Sequence, residues 1–259
     1  MPLIDPARLQ TRLSPVAGRF DVDSLEQCES TNSVLLDRAG QGAPSGTVLV
    51  ADRQSAGRGR RGRSWLSSPE SSLTFSLLWR FDGPATRLSG LSLAVGVAVA
   101  RGLEALGVEG IGLKWPNDVL LSGGKLAGIL VELASERRGT QAVIGIGLNL
   151  RPPEETLPQP VAGLTDVLPC LPDREQILAE LLIALTDVLD RFAADGFAAL
   201  QADWQQRHAW QGRQVSVLLG DPGEVSGRCF GADRDGALLI ETSVGLQRFL
   251  SGDLTLRMA

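Results

Sequence analysis

The chain has 259 residues, with Lys+Arg 25 against Asp+Glu 30, a net charge of −5 and a single histidine, His208. This acidic balance argues against general nucleic-acid coating, and one histidine excludes a site built on several. The three cysteines, Cys28, Cys170 and Cys229, are far apart with no CxxC spacing, which excludes a zinc finger, a thioredoxin motif and a disulfide framework. An odd cysteine count points to reduced thiols and a cytoplasmic protein.

No apolar run follows a basic stretch at the N-terminus, so no signal peptide is expected. The most apolar region, 91–106, is broken by Arg101 and Glu104 and is too short to span a bilayer. Residues 5–28 are mixed in character and too short for a helix-turn-helix domain. Ser30-Thr31-Asn32 followed by Val34-Leu35-Leu36 predicts an N-cap and a short helix that ends near Gly40 and Gly42. Thr47 to Ala51 predicts a strand, Gln54 to Arg63 a Gly/Arg loop, and Ser72 to Trp79 a second strand. Leu88 to Leu106, apolar on most faces, predicts a buried helix.

Ile111 to Trp115 predicts a short strand. Val119 to Leu121 and Lys125 to Leu133 flank Ser122-Gly123-Gly124, a hairpin signal. Gln141 to Leu150 is the next strand. Six of the 14 prolines lie between Pro152 and Pro172, marking a surface connection. Asp173, with Gln176 at capping-box spacing, opens a helix whose apolar side runs Ile177, Leu181, Leu185, Leu189 and Phe192. A further helix covers about Phe197 to Arg207. From Gly212 onward the sequence predicts short strands, with Asp235-Gly236 at a turn, arranged as a small β-barrel after an α/β body.

Three stretches could carry chemistry. Gly57-Arg58-Gly59-Arg60-Arg61-Gly62 spells GxGxxG after a strand, but no helix opens behind it, so the dinucleotide reading fails. Arg53, Arg58, Arg60, Arg61 and Arg63 fall within eleven residues of an otherwise acidic chain. A solvated basic loop is the ordinary explanation. The crowding of forked donors suits an anion carrying phosphate or carboxylate instead.

The second stretch is Lys114-Trp115-Pro116-Asn117-Asp118 followed by Lys125-Leu126-Ala127-Gly128-Ile129-Leu130-Val131-Glu132. Pro116 places Asn117 and Asp118 at a turn, and Gly128 allows close approach to a strand. The third is Gly145-Ile146-Gly147-Leu148-Asn149. Its plain reading is a bulge followed by a turn.

With STN upstream, the motifs GRGRRGRSW, KWPNDVLLSGGKLAGILVE and GIGLNL resemble the biotin–protein ligases, also called biotin–[acetyl-CoA-carboxylase] ligases. The resemblance covers roughly residues 25 to 257. It implies an α+β fold, a mixed sheet with helices like the class II aminoacyl-tRNA synthetase/biotin synthetase catalytic domain, followed by a small SH3-like β-barrel. The expected division is 1–211 and 212–259. With little chain before Ser30, it resembles the monofunctional form without a DNA-binding domain, so specific DNA binding is not expected.

The resemblance implies a reaction as well. Biotin and MgATP give biotinyl-5′-AMP, and a lysine of a biotin carboxyl carrier protein, a subunit of acetyl-CoA carboxylase, then takes the biotin. It further implies that Ser30, Thr31, Asn32 and Gln54 contact the biotin head, and that Gly57, Arg58, Gly59 and Arg60 fold over biotin and phosphate. Lys125 contacts carboxyl and phosphate oxygens. Trp65 and Asn149 lie near the adenine, and Asn117 and Asp118 near the reacting centre. Asp118 would orient or deprotonate the incoming lysine. No metal-ligand cluster is read, Mg2+ being implied by ATP. Relatives often form homodimers through the sheet. The rivals are lipoate–protein ligase, whose glycine-triplet and His-Asp motifs are absent, a nucleic-acid-binding module using the Arg loop, and a degenerate relative.

Overall fold

The computed structural model describes residues 2–14, 16–136, 139–153, 155, 157–220, 223–251 and 255–258. In chain order the elements begin with α1 (Pro6–Arg12), β1 (Asp21–Cys28), α2 (Thr31–Gly40), β2 (Thr47–Gln54), β3 (Ser72–Asp82) and α3 (Leu91–Ala105). The hairpin strands β4 (Ile111–Lys114), β5 (Asp118–Leu121), β6 (Gly124–Glu136) and β7 (Gly139–Asn149) follow. Then come α4 (Arg174–Asp195), α5 (Gln201–Gln206), β8 (Gln214–Gly220), β9 (Gly223–Ala232), β10 (Leu238–Thr242), β11 (Gly245–Phe249) and β12 (Thr255–Met258).

Strands β1 to β7 form one mixed sheet in the order β1-β2-β3-β7-β6-β5-β4, with β1 and β2 parallel and the rest antiparallel. Strands β8 to β12 form an antiparallel sheet in the order β11-β10-β9-β8-β12. The α+β body followed by a small β unit is therefore present.

Helix α4 starts at a side-chain cap, whereas Ser30, at the N-cap of α2, makes no side-chain capping bond. Asp173 accepts from the Gln176 backbone N–H at 2.8 Å and so opens α4, as its capping-box spacing predicts. Helix α3 is apolar all round because it is wrapped, with Leu91, Leu93 to Ala100 and Leu103 buried between the sheet and α4.

Strand pleating decides where the site lies. Successive side chains point to opposite faces, and on β3 one face carries Leu73, Phe75, Leu77 and Trp79, all in the main core with α3 and α4. On the other face, Leu78 joins Leu35, Ala39, Leu49 and Val143 in a small second core under α2. Moving along that face the apolar residues stop. β3 then offers Ser76 and Thr74, and β7 offers Gly145 and Gly147 in regular register. A floor of hydroxyls and glycines thus begins where the α2 core ends.

Several local expectations need correction. Residues 5–28 contain α1 and β1. Asp118 is the first residue of β5, so only Asn117 stays in the turn. The Gly145–Asn149 stretch contains no bulge. The register shift is instead in the β5–β6 hairpin, between Val119 and Leu120. After Gly212 the described residues form five short strands, β8 to β12.

Candidate active site

A cavity of about 870 Å3 opens on the hydroxyl–glycine floor. All thirteen residues singled out in the sequence line it: Ser30, Thr31, Asn32, Gln54, Gly57, Arg58, Gly59, Arg60, Trp65, Asn117, Asp118, Lys125 and Asn149. Its size is that of a pocket enclosing a nucleotide-sized ligand.

One end is a neutral polar cradle. The first turn of α2 brings Thr31 and Asn32 down onto β3. Gln54, at the end of β2, accepts with Oε1 from the Thr31 backbone N–H at 2.7 Å and from its hydroxyl at 3.1 Å. Ser76 Oγ lies 2.7 Å from Thr31 Oγ1 and 2.5 Å from Asn32 Oδ1. The Asn32 amide donates to Glu132 Oε2 at 2.8 Å and to Leu130 O at 3.3 Å. These bonds hold the side chains of the cradle in place, a preorganised set of neutral donors and acceptors.

Asn32 can descend this far because position 145 is glycine. A Cβ there would sit 2.2 Å from Asn32 Oδ1. Gly147 and Gly128 similarly make room for the Trp65 indole. A Cβ on Gly147 would lie 2.2 Å from Trp65 Cε2, and one on Gly128 would lie 3.2 Å from Trp65 Cζ3.

The other end is charged. Lys125 Nζ lies 2.6 Å from Asp118 Oδ1, and Lys114 Nζ lies 3.8 Å from Asp118 Oδ2. Lys114 and Asp118 are cross-strand partners, which explains their meeting. Burial pushes the Lys114 ammonium below its ordinary pKa, with repulsion from Lys125 and Arg63 adding to this and Asp118 opposing it. Trp210 lies against Lys114, its ring centre 4.4 Å from Nζ.

The Gly/Arg loop forms the outer wall. Main-chain bonds close it, from Gly59 N to Arg63 O at 2.7 Å and from Trp65 N to Gly57 O at 2.9 Å. Arg58 pairs with Glu132 Oε2 at 2.8 Å, the oxygen that also receives Asn32. Arg60 reaches Asn117 Oδ1 at 3.4 Å and the Ser251 carbonyl oxygen. Among the described lining residues, seven cations (Arg58, Arg60, Arg61, Arg63, Lys114, Lys125 and Arg151) face three carboxylates (Glu70, Asp118 and Glu155). The arginines converge on a cavity instead of spreading over a face, which fits a small anion better than a nucleic-acid strand.

Two candidate residues do structural work as well. Asn117 Nδ2 donates to Ile129 O at 2.8 Å and the main-chain carbonyl oxygen of Asn117 accepts from Ile129 N at 3.0 Å, which pins the turn to β6. Asn149 spends both Nδ2 protons on the carbonyl oxygens of Lys125 and Ala162, each at 3.1 Å. Nothing in the sequence assigns a role to Lys114, Glu132, Thr74, Ser76 or Arg151. Lys114 could have been found from its cross-strand place opposite Asp118. The hydroxyls on β3 resemble ordinary strand residues.

His208 lies outside the cavity. It is stacked on Trp204 at 4.5 Å, with Nε2 3.7 Å from Cys229 Sγ. Burial lowers its pKa and pushes the Cys229 thiol up to about 11.

Comparison with known proteins gives a consistent set of matches. The model of the biotin/lipoate A/B protein ligase family matches residues 24–149, and that of the biotin protein ligase C-terminal domain matches residues 212–257. The chain is 37% identical to the bifunctional ligase/repressor BirA of Salmonella typhimurium, over 99% of this chain and 79% of the relative. It is 36% identical to the biotin–[acetyl-CoA-carboxylase] ligase of Mycobacterium tuberculosis, over 93% of this chain and 91% of that protein. A biotin protein ligase from Aquifex aeolicus, solved in complex with biotin and ATP, superposes with a TM-score of 0.80 at 31% identity, covering 92% of this chain and 99% of that one.

Proposed function

Since the chain belongs to the biotin/lipoate A/B protein ligase family, we propose that it is a biotin–protein ligase. It activates biotin with ATP as biotinyl-5′-AMP and passes the biotin to a lysine of a biotin carboxyl carrier protein. The observation that carries this reading is the two-ended cavity. A neutral cradle of Thr31, Asn32, Gln54 and Ser76 faces Lys125 across a glycine floor. An elongated acid with a urea-like ring at one end and a carboxylate at the other fits that layout.

In the first step a biotin carboxylate oxygen attacks the α-phosphorus and pyrophosphate leaves. Two anions must approach, so the cations around them supply the stabilisation. Lys125 contacts the carboxylate and α-phosphate oxygens, and Arg58 and Arg60 cover them from the loop. Trp65 and Asn149 lie toward the adenine. Asp118 and Asn117 hold the floor of the reacting centre, and Asp118 does so by gripping Lys125 and Lys114. In the second step the acceptor lysine amine attacks the acyl carbon, AMP departs with the C–O bond electrons, and the amine loses a proton.

Among the described residues no group of three or more His, Cys, Asp or Glu could hold a metal ion; magnesium carried on the triphosphate needs only one or two protein carboxylates beside the phosphates. No helix among them is long and apolar enough to cross a membrane. Three free thiols support a reducing, cytoplasmic setting. Beyond Gly128 the outer edge of β6 pairs with no strand among the described residues, and a second copy would add there to make a homodimer.

The test is to mix the protein with biotin, MgATP and a purified biotin carboxyl carrier domain, then read the acceptor by mass spectrometry. One biotin on a single lysine is expected. No biotin-dependent pyrophosphate release and no modified acceptor would refute the reading.

A further inference from the structure

Two buried polar atoms in the cavity meet no partner in the protein, Thr74 Oγ1 and Trp65 Nε1. Thr74 is 4% exposed, so its hydroxyl can be met only from the cavity it lines. The two atoms belong to one place. Thr74 and Gly147 are register partners on β3 and β7, and Trp65 Nε1 lies 2.6 Å from where a Gly147 Cβ would be.

Their position along the cavity identifies what they face. Ser76, already bonded to Thr31 and Asn32, is two residues further along the same face of β3, about 7 Å from Thr74. On the opposite side, the Trp65 benzo edge turns toward Lys125. Cζ3 and Lys125 Nζ lie 3.2 and 3.3 Å from the point a Gly128 Cβ would occupy. The indole N–H therefore points away from the ammonium, and the orphan pair lies between the neutral cradle and the charged end.

We propose that Thr74 and Trp65 form a subsite that reads the thioether sulfur of biotin, an inference that rests on the biotin reading above. Between its ureido ring and its carboxylate, biotin carries one heteroatom, that sulfur. A thioether is a weak acceptor, and two unspent donors beside it raise the cost of an analogue that lacks it. The subsite adds discrimination within the ring-shaped part of the substrate, separate from the ureido contacts and from Lys125.

The test compares biotin with desthiobiotin, which keeps the ureido ring and carboxylate but has no sulfur. Substrate-dependent ATP–pyrophosphate exchange is measured for the wild type, Thr74→Val and Trp65→Phe. Thr74→Val keeps the side-chain shape and removes the hydroxyl. Its kcat/KM for biotin is expected to fall roughly three- to tenfold, with desthiobiotin nearly unaffected, so the preference for biotin shrinks. Trp65→Phe, which removes the N–H, is expected to shrink the same ratio. The Tm of Thr74→Val should equal or exceed that of the wild type, because an unmet buried hydroxyl has gone.

Equal losses on both substrates, or no loss on either, would overturn the subsite and assign Thr74 to packing or to a bound water. A wild type that exchanges with neither substrate removes the biotin reading and the subsite with it. A wild type active on biotin with an unchanged ratio in both variants removes the subsite alone.

Discussion

Asp118 Oδ1 and Lys125 Nζ stand 2.6 Å apart at the charged end of the cavity, and Asp118 is held on its other side by Lys114 at 3.8 Å. The carboxylate therefore fixes the ammonium that would meet the substrate. Lys125→Ala should slow biotin-dependent pyrophosphate exchange at least about tenfold, from one or two charge-assisted hydrogen bonds of about 1.5–3 kcal/mol each. Asp118→Asn should also slow it, and the two losses should not add in the double variant, because they act through one contact. Wild-type exchange in Lys125→Ala would remove Lys125 from the chemistry.

Glu132 ties the cradle to the loop through a single oxygen that accepts from both Asn32 and Arg58. Both side chains of the Arg58–Glu132 pair are partly exposed, 42% and 26%, so solvent screening limits the pair to about 0.2–1 kcal/mol. Glu132→Gln should raise KM for biotin only a few-fold, while amide hydrogen exchange over residues 57–63 speeds up. If exchange in that segment is unchanged, the carboxylate does not restrain the loop.

Gly145→Ala tests the floor. The new Cβ would meet Asn32 Oδ1 at 2.2 Å, and that amide is anchored from two sides by Glu132 and Leu130. Overpacking of this kind costs about 1–3 kcal/mol. Its effect should appear as at least about a tenfold rise in biotin Kd by calorimetry, with the fold retained by circular dichroism. Unchanged affinity would show that Asn32 can move aside freely.

His208 gives the molecule a pH dependence away from the cavity. Burial holds its folded pKa below the ordinary value, with the Gln211 contact opposing. The unfolded state therefore takes up the proton first as pH falls. The stabilising contribution is complete above the unfolded pKa of about 6.5 and is lost as pH drops toward the lower folded value. Tm should thus decline as the pH falls below about 6.5, and His208→Phe, which keeps a ring against Trp204, should flatten that decline. An identical slope in the variant would assign the acid sensitivity to other groups.

The sequence shows most clearly what is periodic or concentrated. Helix α4 is visible in its capping Asp173 and its helical spacing, and the β5–β6 hairpin in its glycine pair. The arginine loop stands out by local charge. β1 is hidden because it is an edge strand with half-exposed residues throughout, so no alternation marks it. Thr74 and Ser76 are hidden for the opposite reason. Residues 72–79 of β3 are buried on both faces, and a threonine there looks like ordinary strand material. The purpose of Gly145 and Gly147 requires knowing which side chains descend from α2 and the loop, a relation between segments more than 80 residues apart. Asn149 illustrates a different limit, because its two amide protons are engaged by main-chain carbonyls that no local pattern announces.

Residues 207–209 run alongside β4, with Leu113 N donating to Arg207 O at 2.6 Å and Ala209 N to Leu113 O at 3.0 Å. β4 is the last strand of the large sheet on that side, and this short tract caps its exposed row of amides and carbonyls. A chain shortened to end before Arg207 would therefore uncover a sticky ribbon directly behind Lys114, inviting self-association. A truncation meant to isolate the larger sheet has to retain the polypeptide through Trp210, which also keeps the indole resting on that lysine.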